Sequence, residues 1–178
     1  MSILKFLGLA GDDAPAAGEG DETQTVRKIV DQLDNLERDR ATFVASFAYV
    51  LSRVAHADMK ISDEETRAME KIVMEHGGLP EEQAIIVVQM AKTQNVLFGG
   101  TENYLVTREF NRLASREDKM QLIDCLFAVS AADDSISSAE NNVIRQIADE
   151  LLLEHRDFIE VRTRFRDKLA VLQKPDEA

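Results

Sequence analysis

Ala57-Asp58-Met59-Lys60-Ile61-Ser62-Asp63-Glu64-Glu65 and Ala132-Asp133-Asp134-Ser135-Ile136-Ser137-Ser138-Ala139-Glu140 are two copies of one acidic turn, both reading Asp-x-x-Ile-Ser-x-x-Glu. They stand 75 positions apart, and each follows one helical pattern and opens another. Shifting the chain by that interval pairs Leu51 with Leu126, Val54 with Val129, Ile72 with Ile147 and Glu75 with Glu150. The apolar matches specify one core face twice, while the polar matches gather at the turn. The pattern predicts a duplicated helix-turn-helix unit.

Helical period continues on both sides of these turns. Val26, Ile29, Val30, Leu33 and Leu36 form a first stripe, and Phe43, Phe47, Val50, Leu51 and Val54 a second. Met69, Ile72 and Val73 carry a third helix that Gly77-Gly78 stops. Pro80 with Glu81 and Glu82 starts a fourth, striped by Ile85, Val88, Met90 and Ala91. Tyr104, Leu105, Phe110 and Leu113 mark a fifth. Ser115 caps a sixth that carries Leu122, Leu126 and Val129. Val143, Ile144, Ile147, Ala148 and Leu151 follow, and then a last stripe of Phe158, Val161, Phe165, Leu169 and Leu172. No stretch alternates at period two. The expected fold is all-α, a single-domain bundle of about seven or eight helices with an internal two-fold helix-turn-helix repeat.

The chain has 178 residues, 44% of them hydrophobic, enough for one domain with a sizeable core. Residues 1–22 read as an apolar N-terminal segment (Ile3, Leu4, Phe6, Leu7, Leu9) followed by a flexible acidic linker. Residues 23–173 read as the helical domain, and 174–178 as a tail. The net charge of -12 argues against nucleic acid and against anionic lipid as partners. Residues 2–9 either fold back on the domain or dock on a protein partner or a membrane surface. No apolar run reaches a membrane span and no secretory signal is present, so a cytoplasmic location is expected. The oligomeric state is left open.

Two readings of the turns compete. In one, Ser62 and Ser137 cap the helices that follow while Glu65 and Glu140 reach back to the cap backbone. That accounts for Ser and Glu. It does not account for Asp58 and Asp133, which oppose the dipole at the end of the preceding helix. In the other, those aspartates and the glutamates seven positions on hold a cation. If both turns pack side by side, Asp58, Glu65, Asp133 and Glu140 form the core set, with Asp134 as a further oxygen donor. A hard divalent ion such as calcium, magnesium or manganese, or else zinc, would relieve their repulsion. The turn is not a calcium-binding EF-hand loop. With Glu65 at the twelfth position, the first and third fall on Val54 and His56, and Met59 replaces the required glycine.

Little else carries chemistry. Cys125 lies in an apolar pattern and reads as core. It excludes disulfides within the chain and multi-thiolate zinc. His56 is a candidate nitrogen ligand at the first turn, but Ala131 takes its place in the second. Arg162, Arg164, Arg166 and Lys168 form a basic cluster, read as a solvated face paired with Glu160 and Asp167 or as a site for an acidic partner. No nucleophile elbow, phosphate loop or Cys/His pairing is present, and no general base can be named for hydrolysis at the carboxylates.

Ala57-Asp58-x-x-Ile61-Ser62-x-x-Glu65 and the longer run Ala131-Ala132-Asp133-Asp134-x-Ile136-Ser137-x-x-Glu140-x-x-x-Ile144-Arg145-x-Ile147-Ala148, continuing through Asp157-Phe158-Ile159-x-Val161-Arg162-x-Arg164-Phe165, resemble the tellurite-resistance TerB-like family. The resemblance covers roughly residues 25–172. It implies an all-helical, non-enzymatic stress-response module linked to tellurite resistance, with metal chelated by the acidic turns. A related domain stands at the N-terminus of a membrane-anchored DnaJ-like co-chaperone. Turns of the family often carry glycine after the Asp, where this chain has Met59 and Asp134. Two expectations follow: a divalent-cation module, or a metal-free helical adaptor docking a protein partner, with residues 2–9 offering a membrane contact.

Overall fold

A computed structural model describes residues 21–54, 63–93 and 103–172. Among them are eight α-helices: α1 Asp21–Asp34, α2 Arg38–Ser52, α3 Asp63–Glu75, α4 Glu81–Lys92, α5 Asn103–Leu113, α6 Arg116–Ser130, α7 Ser138–Glu150 and α8 His155–Arg164. The expected all-α bundle is what forms.

Two helices organise it. In α2 every residue from Ala41 to Ser52 is buried. Small and apolar side chains on all its sides let neighbours close around it: α4 and α5 pack along it, and α1, whose Ile29 and Leu33 are buried, also contacts it. Phe43 stacks on Phe110 of α5 at 5.0 Å between centroids, and Phe47 meets both rings at 6.3 Å. The second organiser is α6, which packs against α7 and α8 and touches α3. There Phe127 lies 5.7 Å from Phe158 and 5.6 Å from Phe165.

The junction after α3 needs glycine. A Cβ on Gly77 would sit 2.5 Å from the Val73 carbonyl oxygen and 2.9 Å from the Phe47 ring. Gly78 adopts φ +65° beneath the Gln121 side chain.

Two expectations are corrected. The buried arc of α4 is wider than its predicted stripe and is rotated from it. Ala84, Ile86, Val87, Val88, Met90 and Ala91 are buried, whereas Ile85 is only half-buried. The reason is that α4 lies between α2 and α3 and must bury two faces. The last helix is also shorter than predicted. It ends at Arg164, and Phe165 leaves helical geometry at φ -105°, ψ 17°. Arg166–Lys168 and Ala170–Leu172 are 3-10 turns joined through an extended Leu169. Leu169 still reaches the core, but Leu172 is 51% exposed.

Candidate functional site

The second acidic turn is described in full. Helix α6 ends at Ser130 and tightens into the 3-10 turn Ala131–Asp133. Asp134 then takes the left-handed conformation at φ 64°, its N–H donating to the Ala131 carbonyl at 3.0 Å. Asp is among the few residues that tolerate that geometry, so the chain reverses here without glycine. Ile136 drops into the core and forms an isolated parallel bridge with Leu169. Its N–H donates to the Lys168 carbonyl at 2.7 Å, and its carbonyl accepts from Ala170 N–H at 3.0 Å.

Ser137 then caps α7. Its hydroxyl oxygen accepts from Glu140 N–H at 3.2 Å, while Glu140 Oε2 accepts from Ser137 N–H at 2.9 Å and from the Ser137 hydroxyl at 2.7 Å. This is the capping box expected at the second turn. It commits one oxygen of Glu140 to structure.

The electrostatics of the turn come from outside it. Lys168 Nζ pairs with Asp134 Oδ1. The hydrogen bond from that ammonium, with its charge, holds the Asp134 carboxyl below its ordinary value. Asp133 stands exposed beside it.

Of the predicted ligand set, Asp133, Asp134 and Glu140 therefore share one turn. Glu65 lies on the exposed first turn of α3. Asp58 lies outside the described residues, as do His56, Ser62 and the apolar segment 2–9. Among the described residues no group of three or more His, Cys, Asp or Glu is placed to hold a metal ion. Those carboxylates, with Glu140 in a cap and Asp134 on a lysine, do not by themselves fit a divalent ion.

Three of the four residues of the basic cluster engage groups of the domain itself. Arg162 donates to Asn141 at 2.8 Å, Arg164 to Asp124 at 3.1 Å with Glu160 at 3.5 Å, and Lys168 to Asp134. The expected pairing with Glu160 is present at Arg164.

A second polar cluster was not foreseen. Asp124, 9% exposed on the apolar α6, receives Arg164 on one oxygen. Its other oxygen lies 2.6 Å from His76 Nδ1. The pair forms the floor of an open cleft of about 480 Å³ whose walls include Arg116, Gln121 and Glu160. The one sequence signal was an acid inside the stripe Leu122, Ile123, Cys125, Leu126; a buried carboxylate requires partners. Cys125 is fully buried, as expected of a core residue, and burial, helped by the Asp124 charge, pushes its thiol up.

The described residues thus form an all-helical bundle with a capped acidic turn and internally paired charges. The chain belongs to the TerB family, described as tellurite resistance protein TerB, which matches residues 43–163 and so spans α2 to α8. As a member of that family it is a non-catalytic scaffold. Comparison with curated proteins and with solved structures returns no match. Among the described residues no helix is long and apolar enough to cross a membrane.

Proposed function

We propose that this chain is a cytoplasmic stress-response module linked to tellurite resistance, and that its acidic turns together bind a divalent cation. The observation that carries this reading is the demand for positive charge at the second turn. Two adjacent aspartates project from a turn fixed by a cap and a backbone bridge, and a lysine 34 residues away is drawn onto one of them. Such a turn would suit a divalent cation if the first turn supplied Asp58 and Glu65, since hard ions want several oxygens. Asp133, Asp134 and the second oxygen of Glu140 would be the contribution of this half. The duplicated motif supports a two-fold internal repeat as the frame that joins the halves.

A metal-free adaptor is the second reading. It is favoured by apolar side chains left in solvent at one end of the chain, with Val171 68% and Leu172 51% exposed. These suit an apolar partner surface.

Melting curves separate the two. Calcium, magnesium, manganese and zinc are added in turn to the protein and to a Glu65→Gln/Glu140→Gln variant. The cation reading expects a melting gain in the first and a smaller one in the second. A zero shift with every ion sinks it and favours the adaptor; an equal gain in both proteins moves the metal elsewhere.

A further inference from the structure

We propose that Lys168 is the resident cation of the second acidic turn and that it latches residues 166–172 onto that turn. Helix α8 stops at Arg164 although the apolar stripe continues to Leu172, so something other than helical packing holds the segment beyond. Two contacts hold it to the turn. Leu169 is buried and bridges to Ile136 through backbone bonds of 2.7 and 3.0 Å. The Lys168 ammonium reaches Asp134.

An exposed ion pair is weak on its own because ordering a lysine costs entropy. Here the bridge and the left-handed Asp134 have already fixed the backbone on both sides of the pair, so only the two side chains are left to order. The segment also walls a groove of about 310 Å³ against the first turn of α7, where Leu169 and Val171 face Ser137 and Asn141. Releasing the latch would open that groove. The turn it closes on lies within the residues that match the family, and the segment itself lies beyond them.

The latch also deepens the cation reading, and that consequence rests on it: a divalent ion at Asp134 and the Lys168 ammonium compete for one carboxylate. Ion binding at the turn then loosens residues 166–172.

Amide hydrogen exchange on the full chain tests both levels, because Ile136 and Ala170 N–H are the two bridge donors. Lys168→Met is expected to speed exchange at both by about fivefold, while α6 amides such as Leu126 stay unchanged. Lys168→Arg, which keeps the charge, is expected to restore protection. Exchange within about twofold of the parent in Lys168→Met, or no recovery in Lys168→Arg, overturns the latch. Manganese or calcium is then titrated into the parent chain. Faster exchange at Ile136 and Ala170, together with tighter ion binding by Lys168→Met, supports competition. Ion binding without any change at those amides overturns competition. No ion binding in either protein, with Lys168→Met still accelerated, sinks the cation reading and leaves the latch standing.

Discussion

The Arg53 guanidinium grips both carboxylate oxygens of Glu150, at 2.6 and 3.0 Å, across 97 positions of sequence. The side chains are only 10% and 23% exposed. Arg53 directly follows α2, at the approach to the first acidic turn, and Glu150 ends the helix that the second turn opens. Gln146 donates to the same carboxylate, and Asn111 of α5 donates to the Glu150 carbonyl. These contacts tie α2, α5 and α7 together. Removing one partner leaves the other charge poorly solvated, so Glu150→Gln is expected to cost about 2–3 kcal/mol in urea unfolding. The double change Arg53→Met/Glu150→Met should cost less than the sum of the single ones.

Asp157 sets an acid limit. It is 2% exposed at the start of α8, and the Arg116 guanidinium holds its carboxyl below the ordinary value. The Glu154 N–H, 3.2 Å away, adds to this effect, and burial opposes it. A carboxyl depressed in the folded state contributes its full stability above the unfolded value of about 3.9 and loses it as pH falls through the lower folded value. Urea midpoints recorded from pH 6 down to pH 2 should therefore drop below about pH 4. Asp157→Asn should start lower and show a shallower acid limb; a parallel curve would mean that Asp157 is not the group responsible.

Much of this was readable from local signals, and what escaped was long-range. Ser137 and Glu140 announce a cap because both partners lie within one helical turn. Ser115 and Asp118 do the same at α6. The pairing of Glu75 with Glu150 in the 75-residue shift shows how a sequence match parts in space. Glu75 makes an exposed pair with Lys71 at 3.7 Å, whereas Glu150 is held by Arg53. Asp134 found Lys168 through the fold alone, 34 residues away. The end of α8 carries neither glycine nor proline. Beyond it Leu169 is extended, buried and bridged to Ile136, a long-range pairing that periodicity does not carry.

Leu152 shows backbone strain that can be relieved. It sits after α7 at φ 59° with its side chain 78% exposed, and the next amide reaches back to the Ala148 carbonyl at 3.1 Å. Glycine is the usual residue at this position of a helix end. Leu152→Gly should stabilise the protein by about 0.5–1 kcal/mol, because relief of the left-handed strain outweighs the added freedom of the unfolded chain. Thermal melting checks the sign. A loss of stability would show that the exposed leucine packs on something in solution.

Cys125 should behave as a core residue. Burial raises its thiol, and only the thiolate is nucleophilic. A disulfide reagent is expected to leave the native protein unmodified for hours and to react fully in urea. Fast reaction under native conditions would contradict the packing of α6 against α7 and α8.

The central claim concerns the two aspartates that capping does not explain, Asp58 and Asp133. Calorimetric titration of manganese, calcium, magnesium and zinc into the parent chain and into Asp58→Asn/Asp133→Asn tests it most directly. The account predicts that at least one ion binds the parent with measurable heat and that the double variant weakens that binding by about tenfold or more. Equal affinity in the two proteins, or no heat from any ion with the parent, would contradict it.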